Sequence, residues 1–291
     1  MRPDTGDYIP SKGLVILMLQ RIMVAVIFIP VIFVIFFGLP DIVLPIILAL
    51  LSMIGVHEVL WSTGFVKNVR ISAISIVLAG TIPFWIFFGA KPLPFLCGSL
   101  IYFTLLFAEA LHSKFSVTLE KMGGAFLFSL MIPYFLCSFI RISKLELGDF
   151  YILLPLLVSF VSDAFALFAG MAFGKHKLAP EISPKKTVEG AVGGLIFAVI
   201  GCVIYGLLTQ YWFHLSVSYL ALVVYGVLGS LISQFGDLSF SYIKRQYEIK
   251  DFGNILPGHG GVLDRFDSVI FCAPLIEILI RMLPALHQVS G

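Results

Sequence analysis

Of the 291 residues, 59% are hydrophobic and 12% charged, with a mean hydropathy of +1.03 and a formal net charge of +2. A soluble domain carries about 25% charged residues, so this composition excludes an ordinary soluble globule and points to an all-α polytopic membrane protein whose core is the bilayer plus tight helix contacts. The sparse cations exclude a nucleic-acid-binding face, and Cys97, Cys137, Cys202 and Cys272, each inside an apolar segment, exclude a zinc or disulfide framework and read as small buried hydrophobes.

A helix needs about 20 apolar residues to cross the hydrocarbon core. About nine runs qualify, at 14–38, 41–61, 71–89, 93–111, 122–142, 149–173, 188–212, 217–240 and 266–285. Residues 1–13 form a polar tail; no cleavable signal peptide is expected, since the first run is too long for one. The sequence is read as one membrane domain, with N-terminal spans over 14–150 and a chemically active region over 151–285. With the N-terminus placed in the cytoplasm, the tail and alternate connections carry Arg2, Lys12, Lys67, Arg70, Lys114, Lys121, Lys175, Lys177, Lys185, Lys186, Lys244, Arg245, Lys250 and Arg265. The opposite side keeps Lys91, Arg141, Lys144 and Arg281. That asymmetry is the positive-inside pattern, and it puts the 174–187 and 241–265 connections on the cytoplasmic side.

Gln20 and Arg21 read as snorkelling or helix–helix contacts, His57, Glu58, Glu109 and His112 as residues that line a cavity mouth or mark helix ends, and Glu277 with Arg281 as an intrahelical pair. In the sixth run, Ser159, Asp163, Ala166, Gly170 and Gly174 share one helical face, which must meet other helices rather than lipid. A carboxylate within the membrane, such as Asp163, is costly and marks a functional candidate. The loop Ser183-Pro184-Lys185-Lys186-Thr187 offers two adjacent lysines and a helix cap at Thr187, and Gly190 with Gly194 permits close helix packing.

Gln234, Asp237, Ser241 and Lys244 then recur at spacings that place them on one face of the eighth helix. The stretch from Ser241 to Asp267 is the most polar part of the chain. It sets Lys244, Arg245, Lys250 and Arg265 against Glu248, Asp251, Asp264 and Asp267, around Pro257-Gly258-His259-Gly260-Gly261. Cations neutralise phosphate oxygens, carboxylates hold magnesium, and glycine amides can face anions. The combination suits a polyphosphate with a divalent metal. Asp264 and Asp267, three apart at the start of a helix near Leu263, are the foremost metal-ligand candidates, though a helix N-terminus also favours an acid for its own sake.

Ser241, Ile243-Lys244-Arg245, Lys250-Asp251, Gly253, Leu256-Pro257, His259-Gly260-Gly261-Val262 and Asp264-Arg265-Phe266-Asp267 together resemble the signature of the phosphatidate cytidylyltransferases, or CDP-diacylglycerol synthases, of bacterial type. The resemblance extends upstream through Asp237, Gln234, the Ser183–Gly190 loop and Asp163, roughly the C-terminal half. It implies that CTP and phosphatidate give CDP-diacylglycerol and pyrophosphate, with magnesium as cofactor and room for a second cation. The metal set would be Asp237, Asp264, Asp267 and Asp163. The catalytic group would be Asp264, Asp237, Lys244, Arg265 and His259. Substrate would be held by Ser241, Lys244, Arg245, Lys250, His259, Gly260, Gly261, Arg265, Lys185 and Lys186. The resemblance also implies a homodimer in the inner membrane, with a polar pocket in the C-terminal half facing the cytoplasm. Two other readings stay open from the residues. One is a CTP-dependent polyprenol or phytol kinase; the other is a cation transporter, since buried carboxylates also mark ion paths.

Overall fold

The computed structural model describes residues 30–89, 91–114, 116–253 and 260–288. The chain divides into two units, Met1–Leu44 and Pro45–Gly291. Within the first, residues 30–38 are helical and widen to a π-helical turn over Val34–Gly38, with Val31, Phe33, Val34 and Phe37 exposed. The tail over 1–13, Gln20, Arg21 and most of the expected first span lie outside the described residues.

Helix α1 (Val43–His57) continues through a π-helical turn over Glu58–Ser62. It is followed by α2 (Val69–Phe87), α3 (Pro92–His112), α4 (Leu119–Leu136) and the short α5 (Ser138–Ser143) and α6 (Gly148–Tyr151). The C-terminal half adds α7 (Leu154–Phe173), α8 (Val188–Phe213), α9 (Tyr219–Gln246) and α10 (Leu263–Met282). Seven segments of described helix are long and apolar enough to cross a membrane. The protein is thus an all-α polytopic membrane protein, and the seven match the expected second to eighth runs. The ninth run coincides with α10, which is of spanning length at 20 residues but carries Asp264, Arg265, Asp267, Glu277 and Arg281.

The helices start where short polar side chains can take the first free backbone N–H groups. Asn68 Oδ1 accepts from the amides of Arg70 and Ile71 at 2.9 and 3.2 Å, Thr118 caps α4, and α3 opens on Pro92. Thr187 caps α8 as expected, its hydroxyl accepting from Gly190 N at 3.1 Å. The residues before it are not a plain loop. They form an antiparallel hairpin of β1 (Lys177–Ala179) and β2 (Ser183–Thr187), with Lys177 opposite Thr187. Glu189, in the first turn of α8, fastens it by accepting from the Lys175 amide and from His176 Nδ1.

Helices α7 to α10 pack on one another as a bundle. The small-residue stripe of α7 meets α8 as its spacing predicts. A Cβ placed on Gly190 would stand 2.6 Å from the Ala166 carbonyl oxygen, and one on Gly194 2.6 Å from that of Ser162. In the other half, Tyr102 of α3 links Ser75 of α2 and Ser129 of α4 at 2.9 and 3.2 Å. Such interhelical bonds contribute roughly 0.6–2 kcal/mol in apolar surroundings. Helix α3 buries only Tyr102 and Leu106. Cys97 on it is exposed, unlike the buried Cys137, Cys202 and Cys272, so the expectation of four buried cysteines is corrected there. A helix covered on so little of its circumference leaves even its small residues outside.

The opposite end of the bundle is closed by β3 (Ser216–Val217) pairing with β4 (Leu286–His287), and by Tyr151, whose hydroxyl takes the Leu286 amide at 2.6 Å. Arg141 reaches Glu277 at 2.7 Å, joining the expected Glu277–Arg281 pair in a three-residue cluster.

Candidate active site

The site is built on the last turns of α9 and the first turns of α10. Asp237 and Ser241 are one turn apart on α9, with Ser241 Oγ donating to Asp237 Oδ1 at 3.3 Å. Asp237 Oδ2 is paired with Lys186 Nζ, which β2 delivers from across the bundle. Of the two adjacent lysines, Lys186 is therefore drawn inward while Lys185 stays exposed. Gln234, a turn before Asp237, faces α7 and α8, donating to Ser162 Oγ, Ser230 Oγ and the Ala191 carbonyl.

Lys244 is 8% exposed. Its ammonium lies 2.7 Å from Asp264 Oδ1 and 3.9 Å from Asp267 Oδ2, and 5.2 Å from the centre of the Phe252 ring. The second oxygen of Asp264 accepts from the backbone amides of Phe252 and Gly261, at 2.8 and 3.0 Å. Asp264 thus ties the residues on either side of the signature loop to α10. Gly260 adopts a φ of +83°, open to glycine at little cost. On α10, Asp267 Oδ1 accepts from the Ser268 amide at 2.8 Å, and Ser268 Oγ donates to Asp163 Oδ2 at 2.8 Å. Asp163, Asp237 and Asp267 lie within Coulombic range of one another.

The structure therefore brings Lys244, Asp264, Asp267, Ser268 and Asp163 into one bonded group and Lys186, Asp237 and Ser241 into a second beside it, a network drawn from α7, β2, α9 and α10 whose two parts are linked by the Coulombic reach of their carboxylates. Other predicted residues lie outside it. Arg245 is exposed and donates to the carbonyls of Ile182 and Ile249, at 3.1 Å each, so it braces the hairpin. Lys185, Lys250 and Arg265 are exposed. His259 lies outside the described residues. Among the described residues no three acid, imidazole or thiol groups close on one point as a ready-made metal cage. A cavity of about 460 Å³ opens elsewhere, between Val66–Arg70, Glu109, Ser116, Val117 and Lys121, and none of the network residues lines it.

The sequence model of the cytidylyltransferase family matches residues 19–283. The chain belongs to this family. Relatives named phosphatidate cytidylyltransferase include one from Bacillus subtilis, 40% identical over 179 residues, which cover 61% of this chain and 65% of that protein. One from Thermotoga maritima is 33% identical over 187 residues, 64% of this chain and 69% of the relative. One from Staphylococcus haemolyticus is 47% identical over 133 residues, 46% of this chain and 50% of the relative. The chain thus spans about half to two thirds of the relatives it matches.

In this cytidylyltransferase-family chain, two side chains outside the predicted site residues support the network. Ser268 joins the carboxylates of α7 and α10; its only sequence signal is that it follows Asp267. Glu58 was read as a cavity-mouth or helix-end residue; it does follow the end of α1, but the structure gives it a further part. It is 1% exposed, and its carboxylate accepts from the amides of Val262 and Leu263, at 2.9 and 2.7 Å. No pattern signals it, because its partners stand about 200 positions away. Glu109, read in the same way, does sit at its helix end, accepting from Asn68 Nδ2 at 2.9 Å and Arg70 Nη1 at 3.1 Å.

Proposed function

We propose that the chain is a phosphatidate cytidylyltransferase, an integral nucleotidyltransferase of the inner membrane that works from the cytoplasmic side. A phosphate oxygen of phosphatidate attacks the α-phosphorus of CTP. The new P–O bond forms as the bond from the α-phosphorus to the bridging oxygen of the β-phosphate breaks. CDP-diacylglycerol and pyrophosphate result. The observation that carries this reading is the buried acid–lysine network at the signature stretch, in a chain whose relatives bear that name.

The nucleophile is already anionic, so no strong general base is required. What the protein must do is neutralise charge and hold two phosphate groups in line. Lys244 and Lys186 are the inward cations; each now rests on carboxylates and can turn to a phosphate. Arg265, Arg245, Lys250 and Lys185, exposed around the same end, take the remaining triphosphate and lipid phosphate oxygens, with Ser241, His259, Gly260 and Gly261 beside them.

The donors fit a hard divalent cation. Asp163, Asp237, Asp264 and Asp267 are all oxygen ligands, and among the described residues Lys186 and Lys244 offset part of their charge inside the network. Asp163, Asp237 and Asp267 are the natural holders; Asp264, with both oxygens engaged, joins by releasing Lys244. Magnesium bound there supplies charge neutralisation at the reacting phosphate oxygens. The exposed face of α3 is offered to a second copy in a homodimer, and the whole chain is read as one membrane domain.

The test uses detergent-purified protein with phosphatidate, magnesium and CTP labelled at the α-phosphate. Label should enter the lipid phase and vanish with chelator or in Asp237→Asn. Label entering a lipid alcohol from γ-labelled CTP instead would establish a kinase. No lipid labelling from either position would overturn the transferase reading.

A further inference from the structure

We infer that Glu58, from the N-terminal half of the chain, is a positioning residue that sets the signature loop for substrate; the inference rests on the transferase reading. Helix α10 has no capping side chain of its own at Val262. Its first amides would otherwise be buried donors without acceptors, a situation proteins avoid. Glu58 supplies the acceptor from outside the helix, Oε1 to Val262 N and Oε2 to Leu263 N. This is a capping interaction made across the fold, by a carboxylate on a π-helical turn that follows α1.

The same carboxylate shapes the loop on both sides. A Cβ on Gly253 would lie 2.6 Å from Glu58 Oε1, and one on Gly261 2.7 Å from each of its oxygens. Two glycines of the signature are therefore small because Glu58 fills the space above them. Asp264 completes the clamp from within α10 by holding the amides of Phe252 and Gly261. Between them, Glu58 and Asp264 accept from the amides of Phe252, Gly261, Val262 and Leu263. The segment entering α10 is thereby fixed relative to Lys244 and Asp267. Among the described residues the Glu58 carboxylate bonds to backbone amides and to no carboxylate or lysine of the network. It acts through the backbone it holds.

The test uses the full chain in detergent, with Glu58→Gln, Glu58→Ala, Gly261→Ala and the double variant Glu58→Ala/Gly261→Ala. Glutamine keeps the size of glutamate but offers one oxygen, and its amide nitrogen would face a backbone donor. Kinetics should show KM for CTP raised and kcat lowered in both Glu58 variants, with kcat/KM down about 100-fold, the scale of a slight misplacement of reacting groups. A loss of fold alone would lower apparent kcat in step with the folded fraction and leave KM unchanged, and that result would overturn the proposal. Gly261→Ala should cost at least ten times less in the Glu58→Ala background than in the wild type, because the clash is removed; equal cost in both would also overturn it.

A readout independent of activity separates this proposal from the transferase reading. Hydrogen exchange at the amides of residues 260–264 should speed up at least tenfold in Glu58→Ala while the rest of the bundle keeps its protection. Unchanged exchange there refutes the Glu58 role, whatever the reaction proves to be. Faster exchange in a chain that transfers no cytidylyl group supports the clamp and refutes only the transferase.

Discussion

Lys244 shows how much one side chain can be asked to hold. It sits buried between Asp264 and Asp267 and beside the Phe252 ring. Breaking a buried ion pair by removing one partner costs about 3–5 kcal/mol, because the other charge is left uncompensated. Asp264 would keep its two backbone donors, so Lys244→Met should destabilise by the lower end, about 3 kcal/mol, read as a lowered midpoint in thermal unfolding in detergent. Asp237 is a different case. It is part-exposed and shared by Ser241 and Lys186, so Asp237→Asn should leave unfolding nearly unchanged. Its proposed turnover should fall about 10²–10³-fold, the usual scale for losing one preorganised electrostatic group. Residues such as Asp237, Ser241, Lys244 and Asp264 were legible from spacing and charge. Glu58 and Ser268 were not, since neither belongs to a local pattern and each matters only through a partner on another helix.

At the scale of elements, the contact between α7 and α8 decides where Asp163 and Lys186 stand. Gly194 faces the Ser162 carbonyl with no space for a Cβ, and backbone does not give way as a flexible side chain does. Gly194→Val should therefore force the helices apart and cost about 1–3 kcal/mol or more, with transfer activity falling beyond what the folded fraction explains. Thr187→Ala removes the cap of α8 and should cost about 1 kcal/mol, measured the same way. Helix lengths, the Thr187 cap and the glycine contact could all be read from the chain. The β1–β2 hairpin could not. Its strands are too short for alternation to register, and they form because Lys177 and Thr187 are brought opposite each other by the ends of α7 and α8.

Across the bundle of α7 to α10, the two ends differ. One carries the β1–β2 hairpin, which Arg245 braces, and the signature stretch entering α10. The other carries the β3–β4 ribbon and the Tyr151 contacts. The proposed orientation, drawn from the positive-inside pattern, puts the first end in the cytoplasm. An exposed position there, Lys185→Cys, should react with a membrane-impermeant thiol reagent in inside-out vesicles and not in right-side-out ones, with His214→Cys showing the reverse. The variants are made in a Cys97→Ala background, because Cys97 is exposed while Cys137, Cys202 and Cys272 are buried. Reaction of Lys185→Cys from the outer side would invert the assignment and place the acid network away from cytosolic nucleotide.

The sequence by itself determined that this chain crosses a membrane, where its long helices run, and that its charged residues gather in Ser241–Asp267. Those properties depend on local composition and helical periodicity, which a single strand of text preserves. Only the tertiary structure decided which carboxylates and lysines meet. It drew Lys186 inward and left Lys185 outside, joined Asp163 to α10 through Ser268, and seated Glu58 on the backbone of the signature loop. The reason is physical: within an apolar medium every buried amide and charge must find a partner, and the partner is chosen by proximity after packing, not by distance along the chain.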